Sequence, residues 1–348
     1  MLTLTAVFAW YWCESEKKVK VNINDVGKVK VQSMSFALLT FIPMFAINAC
    51  MKYTGNDYGN YYSYFQNITS GREQEVEIGY KVICLMVSKL GLEFQWVYVI
   101  FSLISYSILL MCVKKYSKNY AVTYLMFFLN GYFALLGLNQ IRQFVSVVLI
   151  YYAYDYIKER KFGKYCICIL IATCFHVTSI VMLPFYWILQ KKWKLSMYGA
   201  VALILLPFNL FYTEVMTWLF ATFMPRYLNT NYVTREFSLD TPYLCMIFVT
   251  ILICLFYRGR ETEDRTIFHN CMMITAIIIL FGSWLPEYRR FTYYFFIVSI
   301  GYVPELVEKE ENKKKRILIY GILLLVYLWY FRRDSSAMGI YPYKSIFG

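Results

Sequence analysis

The hydrophobic positions of this chain fall into long runs that are separated by short polar stretches. Many runs approach the length of about twenty residues that a helix needs to cross a bilayer, whereas the strands of a membrane barrel are shorter and alternate. The pattern therefore predicts an all-α polytopic integral membrane protein with about ten to twelve transmembrane helices. The predicted crossings are residues 1–13, 33–51, 94–113, 120–138, 144–157, 195–212, 243–257, 266–284, 291–307 and 317–331.

Two further apolar segments do not fit a simple crossing. Segment 78–92 is too short, and we predict an interfacial or re-entrant helix. Segment 165–189 has basic clusters at both ends, so a single crossing would carry the second cluster to the wrong side of the membrane. A bent or re-entrant helix pair near His176 removes this conflict and puts His176 at its tip, although the segment is also long enough for one tilted crossing.

The composition supports the membrane prediction. The chain is 59% hydrophobic and only 16% charged, whereas soluble domains carry roughly a quarter charged residues. We expect one membrane domain over residues 1–348, with a main outer loop at about 52–93 and a second at about 225–242. The ten cysteines lie mostly in apolar runs without a Cys-x-x-Cys pair, and there are two histidines, so we expect no disulfide framework, no metal site and no cofactor.

The net charge of +13 is typical of the positive-inside rule, and we expect no nucleic-acid partner. Most lysines fall on the side assigned as inner, while arginines predominate among the basic residues assigned to the outer side. Because a guanidinium binds phosphate and carboxylate groups in a bidentate manner, this distribution predicts an anionic partner on the outer face.

The stretch Asn139-Gln140-Ile141-Arg142-Gln143 is a polar knot between two apolar segments. An arginine at membrane depth costs several kcal/mol, roughly 3 on insertion scales, so it is kept there for a partner or a function. Arg142, with Asn139 and Gln143 beside it, is the first candidate for a phosphate clamp. The alternative is an interfacial arginine that snorkels to lipid headgroups.

Three other basic residues are candidates. Arg289 and Arg290 follow Glu287 and form either a second arm of the clamp or a membrane anchor paired with Glu287. His176 lies in an apolar segment, where it is either a general base or phosphate donor, or a partner in a helix–helix hydrogen bond.

The acidic candidates lie in the main outer loop. Asp57, Glu75 and Glu77 could each supply a base for a hydroxyl acceptor, although Glu73 and Glu75 are more typical of a solvated loop. Glu77 directly precedes Ile78-Gly79-Tyr80 and points toward the membrane surface. The loop tyrosines suit stacking on sugar rings or an aromatic belt at the membrane interface, and they are tyrosines 53, 58, 61, 62 and 64.

The order of these motifs resembles the EpsG family of bacterial polysaccharide proteins, which includes Wzy-type O-antigen polymerases. The resemblance covers nearly the whole chain and rests on Asp57-Tyr58, Glu77-Ile78-Gly79-Tyr80, the polar knot, Phe175-His176-Val177-Thr178-Ser179, Arg289-Arg290 with Tyr293-Tyr294, and Tyr341-Pro342-Tyr343.

The resemblance implies a glycosyltransferase-C-like polymerase of the bacterial cytoplasmic membrane. It would join undecaprenyl-diphosphate-linked oligosaccharide repeat units on the periplasmic face, in contact with membrane lipids and with a chain-length regulator as a further partner. By position, Arg142 and Arg289 would hold the diphosphate with Arg290 in support. His176 or Glu77 would be the base, and Asn139, Gln143, Asp57 and Tyr80 would support the substrate, without a metal.

Other functions stay open at this point. A lipid-linked oligosaccharide flippase would place charges deep within several spans, whereas the charges here lie near the ends of the spans. A single-addition membrane glycosyltransferase or ligase would share the lipid-linked donor. A membrane acyltransferase is less favoured because His176 has no adjacent aspartate in the sequence.

Overall fold

The structure is a computed structural model that describes residues 2–21, 26–223, 228, 241–257, 265–281, 288–337 and 339–347. Its regular elements, within these residues, are all helical, and an isolated antiparallel bridge joins Met51 to Ser345. Most of the predicted second outer loop at 225–242 lies outside the described residues, as does Glu287, so its pairing with the arginines that follow it stays a prediction.

The helices in chain order are α1 Leu2–Val21, α2 Val26–Ala49, α3 Tyr58–Thr69, α4 Ile78–Lys89, α5 Gln95–Tyr116, α6 Tyr120–Leu129, a π-helix Phe133–Gly137, α7 Ile141–Lys158, α8 Phe162–Phe175, a 3-10 helix Val177–Met182, α9 Phe185–Ile188, α10 Leu195–Leu210, α11 Tyr212–Phe223, α12 Thr241–Phe256, α13 Thr266–Phe281, α14 Tyr288–Phe296, α15 Ser299–Glu308 and α16 Lys313–Ala337.

Two of the described helices contain segments long and apolar enough to cross a membrane, Gln32–Ala49 and Gln95–Tyr116. Five other apolar helices or helix segments among the described residues have 10 to 17 residues. The prediction 120–138 is wrong as one helix, since α6 ends at Leu129 and Gly131 adopts a positive φ of 80°. The prediction 291–307 is likewise two helices, α14 and α15, and the full set of ten to twelve crossings stays a prediction.

The chain reverses at His176, as the bent-pair prediction requires. α8 ends at Phe175, and His176 has an extended conformation with φ −152° and ψ 112°. The following segment returns along α8, because the Tyr165 hydroxyl donates to the Met182 carbonyl at 2.6 Å and the Tyr186 ring lies 5.4 Å from that of Tyr165. A continuous helix would separate Tyr165 and Tyr186 by roughly 30 Å, so the bend at His176 is confirmed.

Charged residues assigned to the inner side and those assigned to the outer side lie at opposite ends of the helix bundle, as the topology predicts. At one end, Glu16 meets Lys114 at 3.0 Å, and both come from stretches assigned to the inner side. At the same end, Lys115 meets Asp155, near the inner end of the crossing predicted at 144–157, at 2.8 Å. Residues assigned to the outer side meet one another at the other end of α5 and α7. This pairing agrees with the predicted sidedness of the loops.

The outer end is closed by the chain's own C-terminal segment. The amide of Lys52 donates to the carbonyl of Lys344 at 3.0 Å, and the amide of Ile346 donates to the carbonyl of Cys50 at 2.9 Å. The amide of Gly55 donates to the carbonyl of Gly339 at 2.9 Å. These backbone bonds fix the loop that leads into α3.

Helix α3 was not predicted from the sequence, which shows only a polar, tyrosine-rich loop there. It forms because one face packs on α5: the Tyr58 ring stacks on Tyr98 at 5.4 Å and meets Phe94 edge-on at 5.5 Å, and the Phe65 ring lies 5.5 Å from that of Phe94. Helix α4, in contrast, agrees with the helix predicted at 78–92.

Candidate functional site

A cavity of about 210 Å³ lies among residues of the stretches assigned to the outer side. It is lined by Asp57, Asn60, Tyr61, Tyr64, Gln140, Arg142, Gln143, His176 and Arg290. Five of these residues were predicted as site residues from the sequence, and they come from α3, α7, α14 and the bend after α8. The fold therefore brings together groups that are distant in the chain.

The polar knot connects three walls of this cavity. The amide of Asn56, just before α3, donates to Asn139 Oδ1 at 2.6 Å, and Gln143 Nε2 donates to the carbonyl of Arg290 at 2.8 Å. The π-helix before the knot ends in a bond from the Gln140 amide to the Leu135 carbonyl at 2.9 Å. The knot is not a loop throughout, because α7 begins at Ile141 and carries the next two residues in its first turn.

Arg142 is held inside the protein. Its Nη1 pairs with Glu77 Oε2, and its guanidinium lies over the rings of Tyr61, Tyr64 and Tyr80 at 5.3, 5.9 and 5.6 Å. The Arg142 side chain is only 19% exposed. A snorkelling arginine would extend into the headgroup region, so these contacts favour the interpretation of Arg142 as a site residue.

Glu77 joins Arg142 to His176. While one carboxylate oxygen pairs with Arg142, Oε1 lies 3.2 Å from His176 Nδ1. Burial by itself would raise the pKa of Glu77, but the hydrogen bond from His176 and the charge of Arg142 outweigh it, and the pKa lies at about 2. Glu77 is therefore ionised at neutral pH and is a weak base, which favours a role in orienting its two neighbours.

His176 has the arrangement of a general base. With Nδ1–H assigned as the donor to Glu77, the neutral ring keeps a lone pair on Nε2. Nε2 is buried and has no hydrogen-bond partner among the described residues, while the side chain lines the cavity. The absence of an acidic neighbour in the sequence was misleading, because Glu77 supplies a carboxylate from another part of the chain.

Tyr294 anchors the segment that follows His176. Its hydroxyl lies 2.7 Å from Thr178 Oγ1 and accepts from Ser179 Oγ at 3.2 Å. Its carbonyl in turn accepts a hydrogen bond from the Tyr154 hydroxyl. Since Tyr294 lies one turn after Arg290 on α14, this anchor fixes the bend relative to that arginine.

The two neighbouring arginines of α14 have different surroundings. Arg290 lines the cavity with Arg142. Arg289 turns toward α16 and α12, where Nη1 lies 3.5 Å from Asp334 Oδ1 and the guanidinium stands 4.6 Å over the Tyr243 ring. Arg290 therefore lines the cavity, whereas Arg289 contacts residues of α16 and α12.

Three other predicted site residues differ in their surroundings. Asn139 is 4% exposed, its Nδ2 donates to the Ala134 carbonyl at 3.2 Å, and it fixes the backbone. Tyr80 is fully buried and its hydroxyl donates to the Tyr61 carbonyl at 2.7 Å. Asp57 lines the cavity, and its predicted role toward the substrate stays a prediction.

Sequence reasoning assigned no individual role to four of the lining residues, which are Asn60, Tyr61, Tyr64 and Gln140. The first three share with Asp57 the i, i+3, i+4, i+7 spacing of one helix face, which is a signal that was present in the sequence. Within the described part of the chain, no group of three or more His, Cys, Asp or Glu side chains is arranged to hold a metal ion.

The comparison with known protein families identifies the chain. It matches the EpsG family model over residues 34–345, a region that contains every lining residue of the cavity. The chain belongs to the EpsG family. EpsG proteins resemble Wzy-type polymerases, and membership makes this chain a membrane protein of polysaccharide biosynthesis. No curated protein and no solved structure matches this EpsG chain.

Proposed function

We propose that this EpsG protein is a polysaccharide polymerase, a glycosyltransferase of the bacterial cytoplasmic membrane. It joins undecaprenyl-diphosphate-linked oligosaccharide repeat units on the periplasmic face. The observation that carries the proposal is one cavity lined by Arg142, Arg290 and His176. Family membership supplies the class of substrate.

The proposed reaction transfers the growing chain to a fresh repeat unit. The bond between the anomeric carbon of the chain and its lipid diphosphate breaks, and a bond forms from that carbon to a hydroxyl oxygen of the acceptor sugar. His176 Nε2 takes the proton of this hydroxyl. The electron pair of the broken bond leaves on the lipid diphosphate.

Positive charge is needed where the leaving group gains negative charge. Arg142 and Arg290 supply two guanidiniums with the fork geometry that matches phosphate oxygens. Arg142 also lies in the first turn of α7, where backbone N–H groups carry a partial positive charge. Arg289 supports the clamp by holding α14 through Asp334 and Tyr243.

Glu77 is a positioning residue in this proposal. Its ionised carboxylate fixes the His176 tautomer through Nδ1 and orients the Arg142 guanidinium at the same time. Removing Glu77 would therefore disturb both the base and the phosphate clamp.

The test is the length distribution of the surface polysaccharide. A strain that lacks this gene is complemented with wild type, with Arg142→Ala, or with Arg72→Ala at matched protein level. Arg72 is the control because it is an exposed arginine of the same outer region and does not line the cavity. The polysaccharide from each strain is then separated on a gel.

We expect a multi-repeat ladder from wild type and Arg72→Ala, and a single-repeat band from Arg142→Ala and the empty deletion strain. This result would mean that the repeat unit reached the outer face and only polymerisation failed. A deletion strain without any repeat unit would instead favour a flippase or a single-addition glycosyltransferase. A full ladder from Arg142→Ala would contradict the proposed clamp.

A further inference from the structure

Helix α3 has two faces with different chemistry. Tyr58 and Phe65 belong to a face that packs on Phe94, and the Tyr58 ring also stacks on Tyr98. The other face consists of Asp57 at the helix start with Asn60, Tyr61 and Tyr64, all of which line the cavity. We call these four residues the α3 cavity face.

The α3 cavity face differs in chemistry from the arginines beside it. Asp57 contributes a carboxylate, which accepts hydrogen bonds, and Asn60 contributes an amide that both donates and accepts. The Tyr64 ring contributes a flat apolar surface with a polar hydroxyl at its edge. A pyranose sugar offers the matching groups, neighbouring hydroxyls around its rim and an apolar C–H face. A phosphate offers none of them and would be repelled by the carboxylate.

The position of the α3 cavity face relates it to the diphosphate clamp. The Arg142 guanidinium lies over the rings of Tyr61 and Tyr64 at 5.3 and 5.9 Å. A sugar bound along this face would therefore adjoin the guanidinium that we assign to the leaving diphosphate. Such proximity is what transfer between two lipid-linked chains requires.

The α3 cavity face is fixed before any ligand arrives. The aromatic packing of Tyr58 on Tyr98 holds the helix from behind, and the contact of Asn139 with the Asn56 amide holds the turn before it. In contrast to the packed face, Asn60 is exposed and accessible to a ligand. A rigid helix with an accessible polar face suits selective binding, because little freedom is lost when the sugar binds.

We propose that the α3 cavity face is the subsite for the terminal sugar of the acceptor oligosaccharide and determines which sugar the protein extends. This inference rests on the proposed polymerase function. Asp57 and Asn60 bind the sugar hydroxyls, and Tyr64 stacks on the C–H face. Acceptor choice therefore depends on residues of the outer loop and not on the arginines.

The test measures sugar binding directly, without turnover. The probe is the oligosaccharide repeat unit released from the producing organism's own surface polysaccharide, so it carries no lipid and no diphosphate. Saturation-transfer NMR is recorded with the full-length protein in detergent, as wild type, Asn60→Ala and Gln66→Ala. The last variant is the matched control, because Gln66 is an exposed amide on the same helix that does not line the cavity.

We expect transfer to the protons of the terminal sugar with wild type and Gln66→Ala, and at least a fivefold smaller transfer with Asn60→Ala. Tyr64→Ala should lose the transfer, while Tyr64→Phe should keep it because the ring remains. Equal transfer in all variants, or no transfer with wild type, would overturn the subsite. Equal thermal unfolding midpoints would exclude misfolding as the cause of a loss.

The outcome is independent of the ladder experiment. If the ladder requires Arg142 but sugar binding is unchanged in Asn60→Ala, the polymerase proposal stands and the α3 subsite is contradicted. In the opposite case, sugar binding depends on Asn60 but the deletion strain still makes a complete ladder. That result would contradict the polymerase proposal and leave a sugar-binding site on α3.

Discussion

Glu77 Oε1 lies 3.2 Å from His176 Nδ1, and the other oxygen of the same carboxylate pairs with Arg142. One ionised side chain thus orients a candidate base and a candidate phosphate ligand. Because Glu77 directly precedes α4 and His176 directly follows α8, the relationship depends on how these two helices meet. Gly79 permits this approach, since a Cβ there would lie 2.7 Å from the carbonyl of Cys174.

The first prediction concerns the charge of Glu77. Glu77→Gln keeps the size of the side chain, but its amide can donate to Nδ1 and so move the proton of His176 to Nε2, which removes the base. We expect a fall in polymerisation of about a hundredfold or more, by analogy with carboxylate-to-amide changes beside a catalytic histidine. The measurement is the rate of polymer formation in membranes with added lipid-linked repeat units.

Glu75→Gln is the matched control, since Glu75 is exposed two residues earlier and does not line the cavity. It should keep the wild-type rate. Equal rates for Glu77→Gln and wild type would show that the carboxylate does not orient the base.

The second prediction concerns acid stability. The pKa of Glu77 is lowered from 4.5 to about 2 in the folded protein, so its ionised form is stabilised by folding. A carboxyl group with a lowered pKa stabilises the folded protein at pH values above the pKa that it has in the unfolded chain. This contribution is lost as the pH falls from about 4.5 toward about 2. Lowering the pKa from 4.5 to about 2 corresponds to a contribution on the order of 3 kcal/mol.

The measurement is the thermal unfolding midpoint in detergent, followed by tryptophan fluorescence, between about pH 6 and pH 3. The unfolding midpoint of wild type should fall further over this pH range than that of Glu77→Gln, because the variant has no carboxylate to protonate at this position. Parallel profiles for the two proteins would contradict the assigned shift.

The third prediction separates the two arginines of α14. Arg290→Ala should lower polymerisation by about a hundredfold or more, which is typical for a group that stabilises charge in a transition state, with little change in the unfolding midpoint. Arg289→Ala should lower the midpoint instead, because it removes the contacts to Asp334 and Tyr243. Rates and midpoints measured on both variants test the distinction, and a reversed pattern would restore Arg289 to the clamp.

The fourth prediction concerns the turn before α3. Gly55 has φ +80°, and a Cβ there would lie 2.6 Å from Asn139 Oδ1 and 2.9 Å from the Leu138 carbonyl. Gly55→Ala should therefore destabilise the fold by on the order of 2 kcal/mol. Gly59 lies in α3 with nothing within 4 Å of such a Cβ, so Gly59→Ala should be neutral or stabilising by about 0.5–1 kcal/mol. Denaturant unfolding of both variants provides the comparison, and equal stabilities would contradict it.

Much of the architecture follows from local patterns. The length of the apolar runs predicted an all-helical chain, and the basic clusters on both sides of segment 165–189 predicted the bend at His176. Helix α3 was not predicted, because its tyrosines form a helix face only when Phe94 and Tyr98 cover one side of it. The breaks within the crossings predicted at 120–138 and 291–307 also depend on neighbouring helices.

The sequence by itself determined which residue types stand out: an arginine between amides, a histidine in an apolar segment, and a pair of arginines after a predicted span. It could identify them because charge among apolar residues is costly and therefore informative. Only the tertiary structure decided that Glu77 joins Arg142 to His176, that Arg290 and not Arg289 reaches the cavity, and that Asn139 fixes the backbone. The reason is that Glu77, Arg142 and His176, like Asn139 and the Asn56 amide, are far apart in the chain. Their contacts depend on how separate segments pack together and not on the neighbouring residues in the sequence.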